Sequence, residues 1–142
     1  SVENVGYHIT KGDFSFTLAT DIGHPTAIIE DYIARASHVV LEANYDREML
    51  RGGNYPEFLK ERVASPQGHL SNEEAAELLA RTYHPRMKNV WLCHLSKDNN
   101  HPDLCWKSVE QRLFSEGIRV GKDLSLTALR RTTASPMYLL EP

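Results

Sequence analysis

The chain has 142 residues, of which 41% are hydrophobic and 25% are charged, and its 16 Lys and Arg residues against 19 Asp and Glu residues give a formal net charge of −3. This length corresponds to one domain, and this composition excludes collagen-like, low-complexity and wholly disordered chains. The slightly acidic balance also excludes a strongly basic nucleic-acid-binding surface, although it is compatible with a local basic groove.

Cysteine usage and hydropathy indicate the compartment. Cys93 and Cys105 lie in apolar stretches and are too few for a disulfide framework, so we expect buried, reduced thiols in a cytoplasmic protein. The longest apolar runs, such as residues 90–93, are far shorter than the roughly 20 residues of a membrane span. No charged and apolar leader follows Ser1, so we expect no signal peptide, and the missing initiator Met suggests a processed or trimmed product.

The first 42 residues predict a β-hairpin, a helix and a buried strand. Apolar and polar residues alternate over Val5–Thr10 and Phe14–Thr20, around a Gly-Asp turn. Pro25 suits the first position of a helix. The apolar face of that helix is then formed by Ile28, Ile29, Tyr32 and Ile33. His38–Leu41 is a short apolar, β-branched run that is typical of a buried strand.

The rest of the chain alternates helices with strands. Residues 43–68 are irregular, with short helical pieces around Asp46–Leu50 and Pro56–Val63. Ser71 and Glu74 form a capping box that opens a helix through Tyr83. Further elements are a strand over Asn89–Leu95, a helix over Pro102–Glu116 closed by Gly117, a strand over Leu124–Leu129, and one more strand considered for Tyr138–Leu140.

This alternation predicts an α/β fold built of βαβ units, with a mostly parallel sheet and the hairpin at one edge. Ligands of such sheets bind beyond the carboxyl ends of the strands. Three polar groups follow or end successive strands there, namely Asp21, Glu42 and His94. We therefore expect the functional site at this edge of the sheet.

Each candidate residue has a functional and a structural interpretation. Asp21 can coordinate a metal or act as a general base, but it can equally cap the next helix. His94 ends an apolar strand and suits a metal ligand, although a lone His in such a strand is more often a hydrogen-bonded core residue. Ser96, Asn99 and Asn100 after it can add polar groups or simply form turns.

His69 and Glu42 form the second pair of candidates. His69 lies at the mouth of a predicted helix, where free N–H groups attract anions, although a surface loop His is the simpler interpretation. Glu42 ends a buried strand and needs a partner such as a His, an Arg or a metal. A Glu–His pair favours the protonated imidazole, which suits a general acid.

Other residues receive no functional role from their spacing. Tyr45, Tyr55 and Arg51 flank the irregular stretch and can line a substrate groove, but ordinary packing is the better interpretation. Nothing assigns a role to His8, His38, His84 and His101. Walker A, Gly-x-Ser-x-Gly, Cys-x-x-Cys and His-x-His-x-Asp-His patterns are missing from the sequence, which disfavours nucleotide-binding and serine-hydrolase functions.

Four segments stand out in order along the chain: Thr20-Asp21-Ile22-Gly23, Leu41-Glu42-Ala43-Asn44-Tyr45-Asp46, Gly68-His69-Leu70-Ser71-Asn72 with its following Glu73-Glu74-Ala75-Ala76, and His94-Leu95-Ser96 with Asn99-Asn100. Together they resemble the YycJ-like branch of the metallo-β-lactamase-fold hydrolases, which is related to ribonuclease Z. The likeness covers residues 5–140, nearly the whole chain. Tyr45 departs from the family pattern, which usually has a His there, and Cys93 precedes the ligand His where a small residue or Thr is usual.

The resemblance implies that residues 1–142 are the C-terminal half of an αββα sandwich, with helices on one face of the sheet. It implies Asp21 and His94 as ligands of a dinuclear site holding two divalent metal ions, zinc first and manganese as the other option. Glu42 and His69 would then hold the scissile phosphate or protonate the leaving oxygen. The N-terminal half, which carries the His-x-His-x-Asp-His motif, has no counterpart in this sequence.

The function implied is a metal-dependent hydrolase, expected to be a nuclease or phosphodiesterase acting on nucleic acid. The alternatives are a small-molecule esterase or lactonase and a non-catalytic partner-binding domain on the same fold. Because a catalytic zinc site needs at least three protein ligands, this chain alone is expected to be inactive. We also expect an apolar sheet face that binds the missing half or drives self-association, since soluble monomers avoid such patches.

Overall fold

A computed structural model of the chain describes residues 5–20, 22–65, 68–130, 138 and 140. Its strands are β1 (Val5–Lys11), β2 (Phe14–Thr20), β3 (His38–Glu42), β4 (Asn89–Cys93) and β5 (Ser125–Ala128). Its helices are α1 (Ala27–Arg35), α2 (Arg47–Gly52), α3 (Glu57–Ala64), α4 (Asn72–Thr82) and α5 (Pro102–Ser115). None of the described helices is long and apolar enough to cross a membrane.

The strands form one mixed sheet in the order β1-β2-β3-β4-β5. β1 pairs antiparallel with β2 through a turn in which Gly12 has a φ of +58°. The β2–β3, β3–β4 and β4–β5 pairs are parallel. Right-handed crossovers that always advance in the same direction put their helices on one face of the sheet. Consistent with this, α1 packs on α4, and α4 packs on α5. The α/β fold with an edge hairpin is therefore confirmed.

The core lies between this helical layer and one face of the sheet. Alternate strand residues point into it and are buried, such as Val39 and Leu41 of β3 and Val90 and Leu92 of β4. The inward face of α5, formed by Cys105, Val109 and Leu113, is buried as expected. Trp106 of α5 connects this helix to β5, because its indole N–H donates a hydrogen bond to the Leu126 carbonyl over 2.9 Å.

Details of α1 and β4 differ from the sequence-based expectations. α1 begins at Ala27 because Thr26, not a residue before Pro25, is the N-cap, and its hydroxyl accepts from the Ile29 N–H over 3.2 Å. Ile28 belongs to the solvent face of α1, at 65% exposure. β4 ends at Cys93 rather than Leu95, because His94 leaves the extended conformation with a φ of +59°.

The remaining helix boundaries follow the predicted signals. Ser71 and Glu74 form the expected capping box at α4. Gly117, with a φ of +81°, directly follows Glu116, the C-cap residue of α5. Of the two cysteines, Cys105 is buried, whereas Cys93 is partly exposed. A strand over Tyr138–Leu140 is not assigned, since Leu139 lies outside the described residues.

Candidate active site

Three of the four predicted site residues meet at the carboxyl ends of β3 and β4. Glu42 is the last residue of β3 and pairs in register with Cys93, the last residue of β4. His94 therefore lies one residue beyond the level of Glu42. His69 reaches the same place from the loop before α4. The fourth residue, Asp21, lies outside the described residues, and its metal-ligand role stays a prediction.

One carboxylate holds both imidazole rings. Glu42 Oε1 lies 3.1 Å from His69 Nδ1 and also makes a short contact with His94 Nδ1. The Leu70 backbone N–H donates to the other oxygen, Oε2, over 3.0 Å. The Glu42 side chain is fully buried, whereas His94 is 47% exposed and His69 is 26% exposed. Both imidazole rings are therefore partly exposed to solvent, and the carboxylate that they contact is buried beneath them.

The partners of Glu42 keep it ionised despite its burial. Burial alone raises the pKa of Glu42, but hydrogen bonds from His69, His94 and the Leu70 N–H outweigh it and lower the pKa to about 2. A buried carboxylate that receives several hydrogen bonds is strongly stabilised in its charged form. Glu42 thus provides a fixed negative charge for two imidazoles.

His94 is held in an uncommon backbone conformation. Its φ of +59° lies in the left-handed region, which costs a β-substituted residue roughly 1–3 kcal/mol and tends to occur at functional sites. Asn44 compensates by holding the chain at and just after His94, because its Nδ2 donates to the His94 carbonyl over 2.7 Å and its main-chain carbonyl accepts from Ser96 N over 2.7 Å. This turn brings the ring back over Glu42.

Two buried asparagines fasten the surrounding loops. The Asn72 and Asn100 side-chain amides exchange a reciprocal pair of 2.9 Å hydrogen bonds, and Asn100 also donates to the Ala43 carbonyl over 3.0 Å. The start of α4, the loop after β3 and the loop after β4 are thereby joined. The sequence predicted only that Asn100 adds a polar loop group or forms a turn, so this connecting role was missed.

The other residues singled out in the sequence occupy different environments: the interior, the surface or a cavity. Tyr45 is 3% exposed and packs in the interior, and Arg51 pairs with Glu48 on the surface, so ordinary packing is confirmed for Tyr45. Tyr55 instead lines a cavity of about 390 Å³ together with His69 and His94. The four histidines without an assigned role make structural hydrogen bonds: His8 with Thr17, His38 with Asn89, His84 with Ala36 O, and His101 with Asp103 N.

The donor set is compatible with a metal ion. One ligand atom each from Glu42, His69 and His94 can be chosen so that all lie within 4.8 Å of one another. Imidazole and carboxylate groups suit zinc and manganese alike. Because Nδ1 of both rings faces Glu42, Nε2 is the atom with which each ring can bind a metal or carry a proton to a substrate. Such a carboxylate–histidine arrangement is typical behind metal ligands.

The chain was compared with known proteins. It is 38% identical over 131 residues to the protein named exodeoxyribonuclease WalJ of Streptococcus pneumoniae, strains D39 and R6, which covers 92% of this chain and 49% of that protein. It is 37% identical over 122 residues to exodeoxyribonuclease YycJ of Bacillus anthracis, which covers 86% of this chain and 46% of that protein. The chain is a relative of the WalJ and YycJ proteins.

The matches to the WalJ and YycJ proteins confirm the resemblance to the YycJ-like branch. The chain spans about half the length of these WalJ and YycJ relatives, which is consistent with a C-terminal half. No family model matches the chain. The crystal structure of unliganded yeast PDE1 aligns with 82% of this chain and 35% of its own, at 13% identity and a TM-score of 0.47, a likeness too low to support an argument.

Proposed function

We propose that this chain is the C-terminal half of a metal-dependent phosphodiesterase that cleaves nucleic acid. The observation that carries the proposal is the buried Glu42 carboxylate, which orients His69 and His94 together at the carboxyl edge of a parallel sheet. The WalJ and YycJ relatives are named exodeoxyribonucleases, which supports DNA as the substrate.

In this proposal the residues divide into two roles. Asp21 and His94 hold divalent metal, with zinc as the first choice, and ligands from an N-terminal half complete the site. Such metals supply Lewis acidity and an activated water for attack on phosphorus. His69, oriented by Glu42, binds a phosphate oxygen and gives a proton to the leaving oxygen. The two cysteines, too few for a disulfide framework, support a cytoplasmic location.

The two roles are separable by experiment in the full-length protein that contains this chain. His94→Ala and Asp21→Ala should lose bound zinc or manganese together with hydrolysis of labelled DNA. His69→Gln should keep its metal but lower kcat by roughly 10²–10⁴-fold, because only proton transfer and phosphate binding are removed. His101→Asn is a matched control, since His101 is exposed and Asn preserves an N-cap at α5.

Four results would contradict the proposal. Metal loss in His69→Gln would make His69 a ligand, and full metal content with unchanged DNA hydrolysis in Asp21→Ala would remove that ligand assignment. Hydrolysis of lactones or carboxylic esters in place of phosphodiesters would favour the small-molecule alternative. The 142-residue chain alone should show no hydrolysis with added metal, so activity there would contradict the need for another half.

A further inference from the structure

A cavity of about 390 Å³ extends from the two site imidazoles to the loop between α2 and α3. This volume lies within the range of about 300–1,000 Å³ that is usual for small-molecule sites. Its lining includes His69, His94, Ser96, Lys97, Asp98 and Tyr55. The cavity therefore joins the candidate reacting groups at one end to an aromatic ring at the other.

Tyr55 is placed at this cavity by its local sequence. It lies directly before Pro56, which restricts the preceding residue to an extended conformation and serves as the N-cap of α3. The Tyr55 ring is half-buried, and its hydroxyl lies 3.5 Å from Asp98 Oδ2, at the outer limit of a hydrogen bond. The side chain is thus held between two loops rather than packed in the core.

Lys97 gives the cavity a positive charge. Its side chain is exposed, and within the described part of the chain it makes no ion pair. By contrast, Lys60 and Lys107 lie beside Glu57 and Glu110. An ammonium group without a carboxylate partner, three residues after His94, is available to a phosphate.

We propose that this cavity binds the nucleotide next to the scissile phosphate, with the Tyr55 ring stacked on its base and Lys97 on its own phosphate. The inference rests on the proposed function, since it places the scissile phosphate at His69 and His94. Stacking on an aromatic ring tolerates every base, because each base has a π-face, so this subsite gives affinity without sequence preference.

The first experiment pairs a protein change with a substrate change in the full-length protein. Tyr55→Ala should raise KM for a labelled oligonucleotide by roughly 5- to 150-fold, whereas Tyr55→Phe should keep the stack. On an oligonucleotide that lacks the base next to the cleaved bond, Tyr55→Ala should change KM by less than about twofold. Phe58→Ala is the matched control, because Phe58 is 68% exposed on α3 and does not line the cavity.

The second experiment measures binding without catalysis. Fluorescence anisotropy in a chelator should show the same loss of affinity for Tyr55→Ala, again only when the base is present. Lys97→Gln should weaken binding of both oligonucleotides and reduce the slope of log affinity against log salt by about 1, whereas Lys107→Gln should not.

The outcomes separate the two proposals. If the unaltered protein cleaves DNA but Tyr55→Ala has the same KM as the unaltered protein, the subsite is wrong and the phosphodiesterase stands. If no DNA is cleaved, the proposed function is wrong. The chelator measurement then decides the subsite: base-dependent loss of binding in Tyr55→Ala supports it, and unchanged binding overturns it.

Discussion

Glu42 shows how a single buried charge can organise a site. A carboxylate without partners in the interior would take up a proton, since burial disfavours its ionised form. Here two imidazoles and the Leu70 N–H share the charge, and the acid remains ionised with a pKa of about 2. Each ring is oriented by the same carboxylate.

Asn44→Ala tests whether the strained turn at His94 is held by this amide. The variant loses the donor to the His94 carbonyl, so we expect a loss of roughly 1–2 kcal/mol in the free energy of unfolding, measured by urea denaturation. In the full-length protein, we also expect metal affinity to fall by roughly 10–100-fold.

Asn89→Ala provides the control for Asn44→Ala. Asn89 lies at the opposite end of β4 from the site, where its side-chain amide bonds His38 Nδ1 over 3.1 Å. It should lose comparable stability without losing metal affinity. Equal metal affinities in the two variants would show that Asn44 contributes to stability alone.

Cys105 provides a test of burial. The thiol is fully buried, and this burial raises its pKa to about 12. Reaction with iodoacetamide requires the thiolate, so we expect Cys105 to stay unmodified at pH 9 in the folded chain and to react once urea unfolds it. Mass spectrometry of digested protein distinguishes it from Cys93, which is partly exposed and should react first. Rapid labelling of native Cys105 would contradict the predicted core.

At the residue scale, the sequence indicated the pairing of Glu42 but not its full set of partners. A charge at the end of a buried strand must have a partner, which predicted a His, an Arg or a metal, and the family resemblance implied His69, which does contact Glu42. The contact with His94 depends on a left-handed residue after β4, and nothing in a run of apolar residues signals that turn. The role of Asn44 is hidden for the same reason, since its partner lies 50 residues away in sequence.

At the scale of elements, the site depends on three loops: one follows β3, one follows β4 and one precedes α4. Glu42 follows the strand pattern and His69 precedes the α4 capping box, so both elements were predictable from local signals. The exact ends were less predictable, because the Thr26 cap and the His94 turn each overrode a pattern that continued through them. What unites the loops is long-range hydrogen bonding, which periodicity does not report.

The Asn72–Asn100 amide pair predicts a strong coupling between α4 and the loop after β4. Either single change to Ala leaves the other buried amide without its partner, so each should cost roughly 1–3 kcal/mol of unfolding free energy. The double variant removes both polar groups and should cost clearly less than the sum of the two. Urea denaturation of the four proteins measures this coupling, and additive losses would contradict it.

At the scale of the whole molecule, the two faces of the sheet differ. One face lies under α1, α4 and α5, whereas the strand residues between the core positions point to the other face. That other face, which we call the helix-free face, carries a row of apolar residues: Tyr7, Ile9, Phe16, Leu18, Val40 and Trp91. Trp91 is 6% exposed and meets the Tyr138 ring at 5.1 Å, but Tyr7 and Ile9 are 59% and 56% exposed.

An apolar row on one face of a sheet suggests a surface that another layer covers. We propose that the rest of the longer protein covers it, which agrees with the half-length match to the relatives. The isolated chain should then self-associate through the same face.

Ile9→Glu should weaken that association by roughly 30-fold or more, because burying an unpaired carboxylate costs at least about 2 kcal/mol. Ile28→Glu, on the solvent side of α1 and 65% exposed, should have no effect. Sedimentation velocity over a range of concentrations measures both, and a chain that stays monomeric throughout would remove the reason for a second layer.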